Sequence, residues 1–247
     1  MIAVYDLYVS FPKVKWMMQK PLVSVIIPVY NEELTVGEVI ERVKKTAEMM
    51  RINYEILVVD DCSTDSSLEI SKSKGVKVYH LRQHKGKGYA LRFGFEKAQG
   101  AIIVTLDSDG SHRPEEMPKL VSPILRGEAD LVVGSRFLDG ESIFCRRLNK
   151  VGVQFFNFLI KVLTGRITTD SQSGYRGIRS TVLRKLNLKS NGYEIESEML
   201  VKVLKNGFKV KEVPVKFMQR TYGKSKLDPI KDGLKIFKSI LVAYASG

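Results

Sequence analysis

Short apolar runs alternate with stretches of helical periodicity over residues 22–136. Runs of this length, rich in β-branched residues, are typical of buried strands, whereas apolar residues three and four positions apart predict amphipathic helices. Strands are predicted at residues 22–28, 54–59, 76–81, 102–106 and 131–134, and helices begin near Val36, Ser66, Gly86 and Pro114. This alternation predicts an α/β fold with a doubly wound, mostly parallel sheet.

Beyond Arg136 the alternation ends. Helices are predicted at residues 151–163 and 193–204, and residues 209–218 alternate like an edge strand. The polar, glycine-containing residues 168–179 predict a loop that leads to a helix. The second half is therefore expected to combine helices and strand without regular βαβ units.

A basic loop at residues 220–227 precedes an amphipathic helix at residues 228–245. One face of this helix is apolar and the other carries lysines; the apolar residues are Ile230, Leu234, Phe237, Leu241 and Val242, and the lysines are Lys231, Lys235 and Lys238. Such a helix can lie on an anionic membrane or pack on the protein's own core, and the pattern leaves both open.

Polar residues follow three of the predicted strands where each strand ends. They are Tyr30 and Glu32, Asp61, and the pair Asp107 and Asp109. The carboxyl ends of parallel strands share one edge of the sheet, so these side chains are expected to converge. In an extended chain Asp107 and Asp109 point the same way, about 7 Å apart. Two nearby carboxylates repel each other unless a cation lies between them, and oxygen ligands suit Mg²⁺ or Mn²⁺.

Composition narrows the class of protein. The 247 residues carry a formal net charge of +13, which favours an anionic partner: nucleic acid, a membrane surface or a phosphorylated substrate. Cys62 and Cys145 lie far apart and match no metal-binding spacing, which argues against a disulfide scaffold. No run of about 18 apolar residues is present, so no membrane-spanning helix is predicted.

Seven motifs together resemble the inverting family-2 glycosyltransferases with the GT-A fold. Five lie in the first half: PVYNE at 28–32, VVDDCSTDSS at 58–67, GKGYALRFGFEKAQG at 86–100, LDSDGSH at 106–112 and VVGSRF at 132–137. SQSGYRGIR at 171–179 and RTYGKSKL at 220–227 are similar to the polyprenyl-phosphate group, which includes dolichyl-phosphate mannose and glucose synthases. The resemblance covers about residues 22–240.

Residues 1–20, which mix apolar and basic side chains, are predicted to be an N-terminal extension. The resemblance implies a GT-A domain at 21–247. Its nucleotide-binding half is expected at about 22–136 and its acceptor half, which is α+β and ends in the amphipathic helix, at about 137–247. It also implies transfer of a hexose from a nucleotide diphosphate sugar to the phosphate of a long isoprenoid. UDP-glucose and GDP-mannose both remain open as donors, because Asp61 can pair with the imide of either base.

The family's site residues fall on particular positions of this chain. The metal, Mn²⁺ or Mg²⁺, would be held by Asp107 and Asp109, and also by Ser111, where dolichyl-phosphate mannose synthases often have Gln. Asp109 is expected to be a direct ligand and is counted as catalytic. The nucleotide-binding positions are Pro28, Tyr30, Glu32, Asp61, Lys87 and Asp107, with Lys85 as an alternative phosphate contact.

Transfer of a hexose from a diphosphate to a phosphate acceptor needs cations that hold the two phosphate-bearing groups close together. Arginine suits this task because its planar fork binds phosphate oxygens in pairs. The candidates for the acceptor phosphate are Arg136, Arg146, Lys150 and Arg220, of which Arg136 and Arg220 are counted as catalytic; Lys150 stands where the family often has Ser. The acceptor phosphate is already ionised, so no general base is required.

A polyprenyl phosphate resides in a bilayer, so the implied partners are a nucleotide sugar, the lipid phosphate and a membrane surface, with no nucleic acid. The final helix and the helix at 151–163 are the expected membrane contacts, and the implied location is peripheral, on the cytoplasmic face.

Two other functions stay open. A family-2 enzyme acting on a hydroxyl acceptor would need a carboxylate base, for which Glu194, Glu196 and Glu198 are candidates, with Glu194 and Glu198 on the same face of a helix. A solvated acidic helix face is the other interpretation of these three residues. A non-catalytic module that binds nucleotide or nucleic acid would use the basic charge alone, and its binding should weaken steeply with salt.

Overall fold

The computed structural model describes residues 22–138, 147–218, 222 and 226–246. The predicted extension at 1–20 lies outside these residues, as do Arg146, Arg220 and the side chain of Lys150. The strands are β1 (Val23–Val29), β2 (Tyr54–Asp60), β3 (Lys77–His80), β4 (Ile102–Thr105), β5 (Leu131–Ser135), β6 (Arg176–Arg179) and β7 (Val210–Pro214). The α-helices are α1 (Val36–Met49), α2 (Ser67–Ser73), α3 (Lys87–Lys97), α4 (Met117–Leu125), α5 (Arg147–Thr164), α6 (Ser180–Leu183), α7 (Ile195–Lys205) and α8 (Lys231–Ala245).

These strands form a seven-stranded sheet in the order β3-β2-β1-β4-β6-β5-β7. Neighbours are parallel, except that β6 runs antiparallel to both β4 and β5. The mostly parallel α/β fold predicted from the sequence is confirmed, and β7 lies at the edge as predicted. Strands from both predicted halves of the chain share the sheet.

The prediction of a loop over residues 168–179 is wrong at its end, because residues 176–179 form β6 inside the sheet. Only Ile178 in this strand is a large apolar residue, so no apolar run marks it. Gly177 permits close packing: a Cβ there would lie 3.1 Å from the carbonyl oxygen of Leu120 in α4. The strand is held by its neighbours rather than by its own hydrophobicity.

Apolar side chains cover both faces of the sheet. One core includes Val25 and Ile27 of β1 and packs against α1 and α4. The other includes Ile26 of the same strand and packs against α3, α5, α7 and α8. This opposite orientation of successive residues explains why β1 is apolar at nearly every position.

Helix α8 packs on the core through Ile236, Ile240 and Ala243. The apolar face predicted for it remains in solvent instead, with Ile230, Leu234, Phe237, Leu241 and Val242 between 38% and 75% exposed. Helix α5 exposes its own apolar row beside it, and the rings of Phe155 and Phe237 stack with centroids 6.2 Å apart. We call this the α5–α8 face; it consists of Val151, Phe155, Phe158, Val162, Leu234, Phe237 and Leu241. Within the described ranges, no helix is long and apolar enough to cross a bilayer.

Candidate active site

A cavity of about 310 Å³ opens at the carboxyl ends of β1, β2 and β4. Seven of the predicted site residues line it: Pro28, Tyr30, Glu32, Asp61, Lys87, Asp107 and Asp109. Because β6 is antiparallel, its first residue, Arg176, pairs with Thr105 at the end of β4. The SQSG segment that precedes β6 therefore reaches the same edge of the sheet.

At one end of the cavity the Tyr30 ring stacks on the His84 imidazole, with centroids 4.0 Å apart. The buried Asp61 holds the segment that carries His84: its Oδ1 accepts the N–H of Lys85 at 2.8 Å, and its Oδ2 accepts the N–H of Gly86 at 2.7 Å. The Nδ1 atom of His84 lies 2.9 Å from the same Oδ2. Asp61 thus fixes the backbone where α3 begins, besides facing the cavity.

Lys226 reaches this end of the cavity from the segment before α8. Its Nζ lies 3.1 Å from Glu32 Oε1 and 4.9 Å from the centroid of the Tyr30 ring, and it donates to the carbonyl oxygens of Tyr30 and Asn31. Sequence reasoning missed both His84 and Lys226. Lys226 lies in the RTYGKSKL motif but was given no role there. No local pattern indicates its contact with Glu32 or that of His84 with Tyr30, since each contact joins residues distant in the chain.

The DSD turn after β4 is tied to the turn after β1. Ser108 Oγ donates to the carbonyl oxygen of Pro28 at 2.9 Å, and Thr35 Oγ1 donates to that of Ser108 at 2.8 Å. Asp109 Oδ1 accepts the N–H of Ser111 at 3.0 Å and its hydroxyl at 2.6 Å. Ser111 therefore orients Asp109; its predicted role as a metal ligand stays a prediction.

Asp107 forms a half-buried ion pair with Lys87. The Nζ atom of Lys87 lies 2.6 Å from Asp107 Oδ1 and 2.8 Å from Glu196 Oε1. Burial favours the neutral forms of both, but the ion pairing outweighs it: the carboxylates raise the pKa of Lys87, and Lys87 lowers the pKa of Asp107. Lys87 and Asp107 are therefore both charged at neutral pH.

His112 is buried beside this pair, with Nδ1 3.8 Å from Asp107 Oδ2. Its ring packs against those of Tyr175 and Phe217, and neither ring nitrogen has a hydrogen-bond partner among the described residues. Burial lowers the pKa of this imidazole despite the nearby Asp107 and Asp109 carboxylates. His112 belongs to the LDSDGSH motif, but sequence reasoning gave it no role.

Arg136, directly after β5, is held in a fixed orientation by the buried Asp170. Its Nε donates to Asp170 Oδ2 at 2.7 Å and its Nη2 to Oδ1 at 2.8 Å, while its backbone N–H donates to Oδ2 at 3.0 Å. The guanidinium carbon lies 5.2 Å from the centroid of the Phe217 ring. Glu212 accepts the backbone N–H of Asp170 at 3.2 Å, which holds the backbone that carries the Asp170 carboxylate.

The interpretation of Glu194, Glu196 and Glu198 as a solvated acidic face is wrong for the last two. Glu196 and Glu198 are each only 4% exposed, because α7 is buried along most of its length. Glu198 accepts from Lys202 Nζ at 2.7 Å and from the N–H groups of Lys189 and Ser190. These bonds outweigh burial and lower the pKa of Glu198.

Arg176 explains much of the SQSGYRGIR motif. This fully buried arginine donates to the carbonyl oxygens of Ser171, Ser173 and Glu196 at distances of 2.5 to 2.7 Å. Burial lowers its pKa to about 10, so it stays charged at neutral pH. It fastens the SQSG segment and the start of α7 to the edge of the sheet.

The chemistry of the donor set fits a divalent cation that binds together with a diphosphate. The part of the chain that is described has no group of three or more His, Cys, Asp or Glu side chains placed to hold a metal by themselves. Mg²⁺ is commonly bound by one or two carboxylates together with substrate phosphates, and Mn²⁺ also suits carboxylate oxygens. Asp107 and Asp109, which line the cavity, supply such carboxylates.

Relatives of known activity match nearly the whole chain. It is 32% identical to the UDP-N-acetylglucosamine–dolichyl-phosphate N-acetylglucosaminyltransferase of Methanococcus voltae, over 91% of this chain and 97% of that protein. It is 36% identical to the dolichol-phosphate mannosyltransferase of Pyrococcus furiosus, over 83% of this chain but only 59% of that protein.

The fold is shared with solved structures. Glucosyl-3-phosphoglycerate synthase from Mycobacterium tuberculosis, solved with Mn²⁺, UDP and glucosyl-3-phosphoglycerate, superposes with a TM-score of 0.72 at 22% identity, over 91% of this chain and 80% of that chain. The family model described as glycosyl transferase family 2 matches residues 24–186. The chain is therefore a glycosyltransferase of family 2 with the GT-A fold.

Proposed function

We propose that this glycosyltransferase moves a hexose from a nucleotide diphosphate sugar to a polyprenyl phosphate such as dolichyl phosphate, with inversion at the anomeric carbon and with a divalent metal. The observation that carries the proposal is the joint placement of aromatic, carboxylate and cationic side chains around one cavity at the sheet edge. The dolichyl-phosphate transferases among the relatives support the acceptor class.

The nucleoside would bind between Pro28, Tyr30, Glu32 and Asp61. Asp61 accepts two backbone N–H groups, and its carboxylate still has lone pairs for the imide of a uracil or guanine. UDP-glucose and GDP-mannose are the donors we propose to test first, together with UDP-N-acetylglucosamine, the donor in the name of the Methanococcus voltae relative.

The diphosphate would lie at Asp107, Asp109 and Lys87, with Ser111 orienting Asp109. A divalent cation held by the two aspartates would stabilise the negative charge that develops on the leaving diphosphate. Lys87 brings a second positive charge to the same place, since it lines the cavity beside Asp107.

The acceptor phosphate would bind at Arg136, together with the predicted Arg146, Lys150 and Arg220. Asp170 keeps the Arg136 guanidinium in one orientation, which favours capture of a phosphate in a defined position. The structure offers little support for a general base at Glu198, because Lys202 and two backbone N–H groups already occupy this carboxylate. An ionised phosphate nucleophile needs no such base.

The α5–α8 face is our proposed contact with the membrane that holds the lipid acceptor. It presents exposed aromatic and aliphatic side chains, and Lys161, Lys231, Lys235 and Lys238 on the same helices are also exposed. Apolar side chains flanked by lysines favour an anionic bilayer surface. On this proposal the enzyme is peripheral, on the cytoplasmic face of the membrane.

The test measures release of nucleoside diphosphate and formation of glycolipid with each donor, with and without polyprenyl phosphate, and with Mn²⁺, Mg²⁺ or EDTA. We expect turnover that requires both the lipid phosphate and the metal. Turnover onto a soluble hydroxyl acceptor without lipid would replace our acceptor assignment. Failure to bind any of the donors in the presence of metal would contradict the placement of the donor site.

A further inference from the structure

Lys87 lies between two carboxylates from different parts of the chain. It begins α3, whereas Asp107 follows β4 and Glu196 lies in the first turn of α7. We propose that Glu196 is a positioning residue that retains Lys87 at the donor diphosphate when Asp107 binds the divalent cation. This inference rests on the proposed function and adds a residue to which the resemblance assigns no role.

The charges of the three groups require such a partner. Without substrate, one ammonium ion faces two carboxylates, at 2.6 Å and 2.8 Å. When Asp107 coordinates a doubly charged cation, the ammonium of Lys87 and the cation repel each other across the same carboxylate, which weakens the contact of Lys87 with Asp107. A second carboxylate behind Lys87 offsets this repulsion and keeps the half-buried ammonium compensated.

The position of Glu196 agrees with this role. Lys87 and Asp107 both line the cavity, whereas Glu196 does not, so Glu196 lies behind the lysine as seen from the substrate. Its backbone carbonyl accepts a hydrogen bond from the buried Arg176, which fixes this turn of α7. Among the described residues, Lys87 is the cation within ion-pair distance of the Glu196 carboxylate.

Gly174 restricts where Lys87 can go. A Cβ atom at Gly174 would lie 2.8 Å from both Lys87 Nζ and Asp107 Oδ2, so the SQSG segment closes the space on that side of the pair. Tyr193 limits another side, with its ring centroid 5.9 Å from Nζ. When Lys87 leaves Asp107, the open direction is therefore the cavity, where the diphosphate would lie.

The Glu196→Gln variant tests the role. With Glu196 neutral, Asp107 is the one carboxylate left to Lys87 among these three groups. Lys87 then competes more strongly with the cation for Asp107. We expect the Kd for Mn²⁺, measured by electron paramagnetic resonance in the presence of UDP or GDP, to rise about tenfold, as is typical when a group that supports a metal ligand is lost. This readout does not depend on turnover.

Glu198→Gln is the matched control, because Glu198 lies on the same helix at the same depth but pairs with Lys202. It is expected to lower the melting temperature and to leave the Kd for Mn²⁺ unchanged. The Lys87→Met, Glu196→Gln double variant removes the competing ammonium and its partner together. We expect it to bind Mn²⁺ more tightly than Glu196→Gln alone, since the competition is gone.

Equal Mn²⁺ affinities of the wild type and the Glu196→Gln variant would overturn the inference, while the proposed function would stand. Mn²⁺ binding by the double variant as weak as that of Glu196→Gln would also overturn it. If Glu196→Gln does not fold, the double variant is compared with Lys87→Met: both lack the ammonium, so equal Kd values are expected, and weaker Mn²⁺ binding by the double variant would overturn the inference. Absence of nucleotide-dependent Mn²⁺ binding in the wild type would overturn the proposed function and the inference with it.

Discussion

Gly174 sets how closely the SQSG segment can approach the charged centre of the site. The space that a side chain would occupy is filled by the ends of Lys87 and Asp107, each at 2.8 Å from an ideal Cβ. These two groups are ion-paired and largely buried, so they cannot move aside freely. A single missing methyl group thus lets the backbone cover the pair.

Replacing Gly174 with alanine should weaken donor binding about tenfold, because the new Cβ displaces Lys87 or Asp107 from its partner. Isothermal titration with UDP or GDP and Mn²⁺ measures the effect. The control is Gly152→Ala on α5, where an added Cβ has no atom within 4 Å. Unchanged nucleotide affinity in Gly174→Ala would show that the pair tolerates the displacement.

Replacing Asp170 with asparagine should lower kcat at least tenfold while donor affinity stays near that of the wild type. The change removes the charge that holds the Arg136 fork but keeps the size of the side chain. Steady-state kinetics with a polyprenyl phosphate, together with nucleotide titration, separates the two effects. Asp130→Asn, which alters the Arg179 pair at the opposite edge of the sheet, should leave both values unchanged.

Some site residues were predictable because they follow apolar strands directly. Asp61, Asp107 and Asp109 are of this kind, and the topology of a parallel sheet brings such positions together. Glu196, His84 and Lys226 were not predictable in this way. Their partners lie far away in the chain, as in the contact of Lys226 with Glu32, and no local periodicity encodes such contacts.

At the scale of elements, hydrophobic pattern predicted β1 to β5 and most helices because each packs its own apolar residues against the core, fully buried in most of them and partly buried in β3. It missed β6, where Gly177 allows close approach of α4 and backbone carbonyl oxygens accept hydrogen bonds from Arg176. It predicted α7 as a helix but not the burial of Glu196 and Glu198, which pair with lysines. Burial of charge by tertiary partners does not appear in a single-residue hydropathy pattern.

Strand β2 carries a buried carboxylate whose contacts link several elements and whose ionisation supports the fold. Glu55 accepts from Ser24 Oγ at 2.5 Å, from the N–H of Gln99 at 2.7 Å and from Lys77 Nζ at 2.7 Å. Burial opposes its ionisation, but these bonds outweigh it and lower its pKa below the ordinary 4.5. Its contribution to stability is therefore full above about pH 4.5 and is lost as the pH falls through the lowered pKa.

The Glu55→Gln variant should therefore lose less stability than the wild type between pH 5 and pH 3, although it is less stable at pH 7. Urea unfolding at several pH values measures this slope. The exposed Glu96→Gln variant, on α3, should follow the wild type. Parallel pH profiles of Glu55→Gln and the wild type would show that Glu55 is not a source of the acid sensitivity.

At the scale of the molecule, the net charge of +13 and the α5–α8 face would act together in the proposed membrane contact. A basic protein is drawn to an anionic surface over a distance of about 10 Å at moderate salt, and exposed apolar side chains then bind at short range. The charge alone does not indicate which face of the protein would meet the membrane, because lysines are spread along the whole chain. Only the packing of α8 shows which apolar row is left exposed.

Replacing the stacked Phe155 and Phe237 together with serine should reduce binding to anionic vesicles at least fivefold, since each ring buries a large apolar area in the bilayer interface. Co-sedimentation with vesicles of phosphatidylcholine and phosphatidylglycerol measures binding. Met49→Ser, at the end of α1 on the other side of the sheet, should bind like the wild type. Undiminished binding of the double variant would place the membrane contact elsewhere.

The antiparallel strand β6 also affects how the protein folds as it is synthesised. Strand β5 pairs only with β6 and β7 in the described sheet, and both of these emerge from the ribosome after it. The side chains that line the cavity from the ends of β1, β2 and β4 are thus made first, but the sheet beside them cannot close until Arg179 is available. We expect nascent chains that end before residue 176 to lack nucleotide affinity. The two halves of the chain are then one cooperative folding unit, and neither can be exchanged as a separate module.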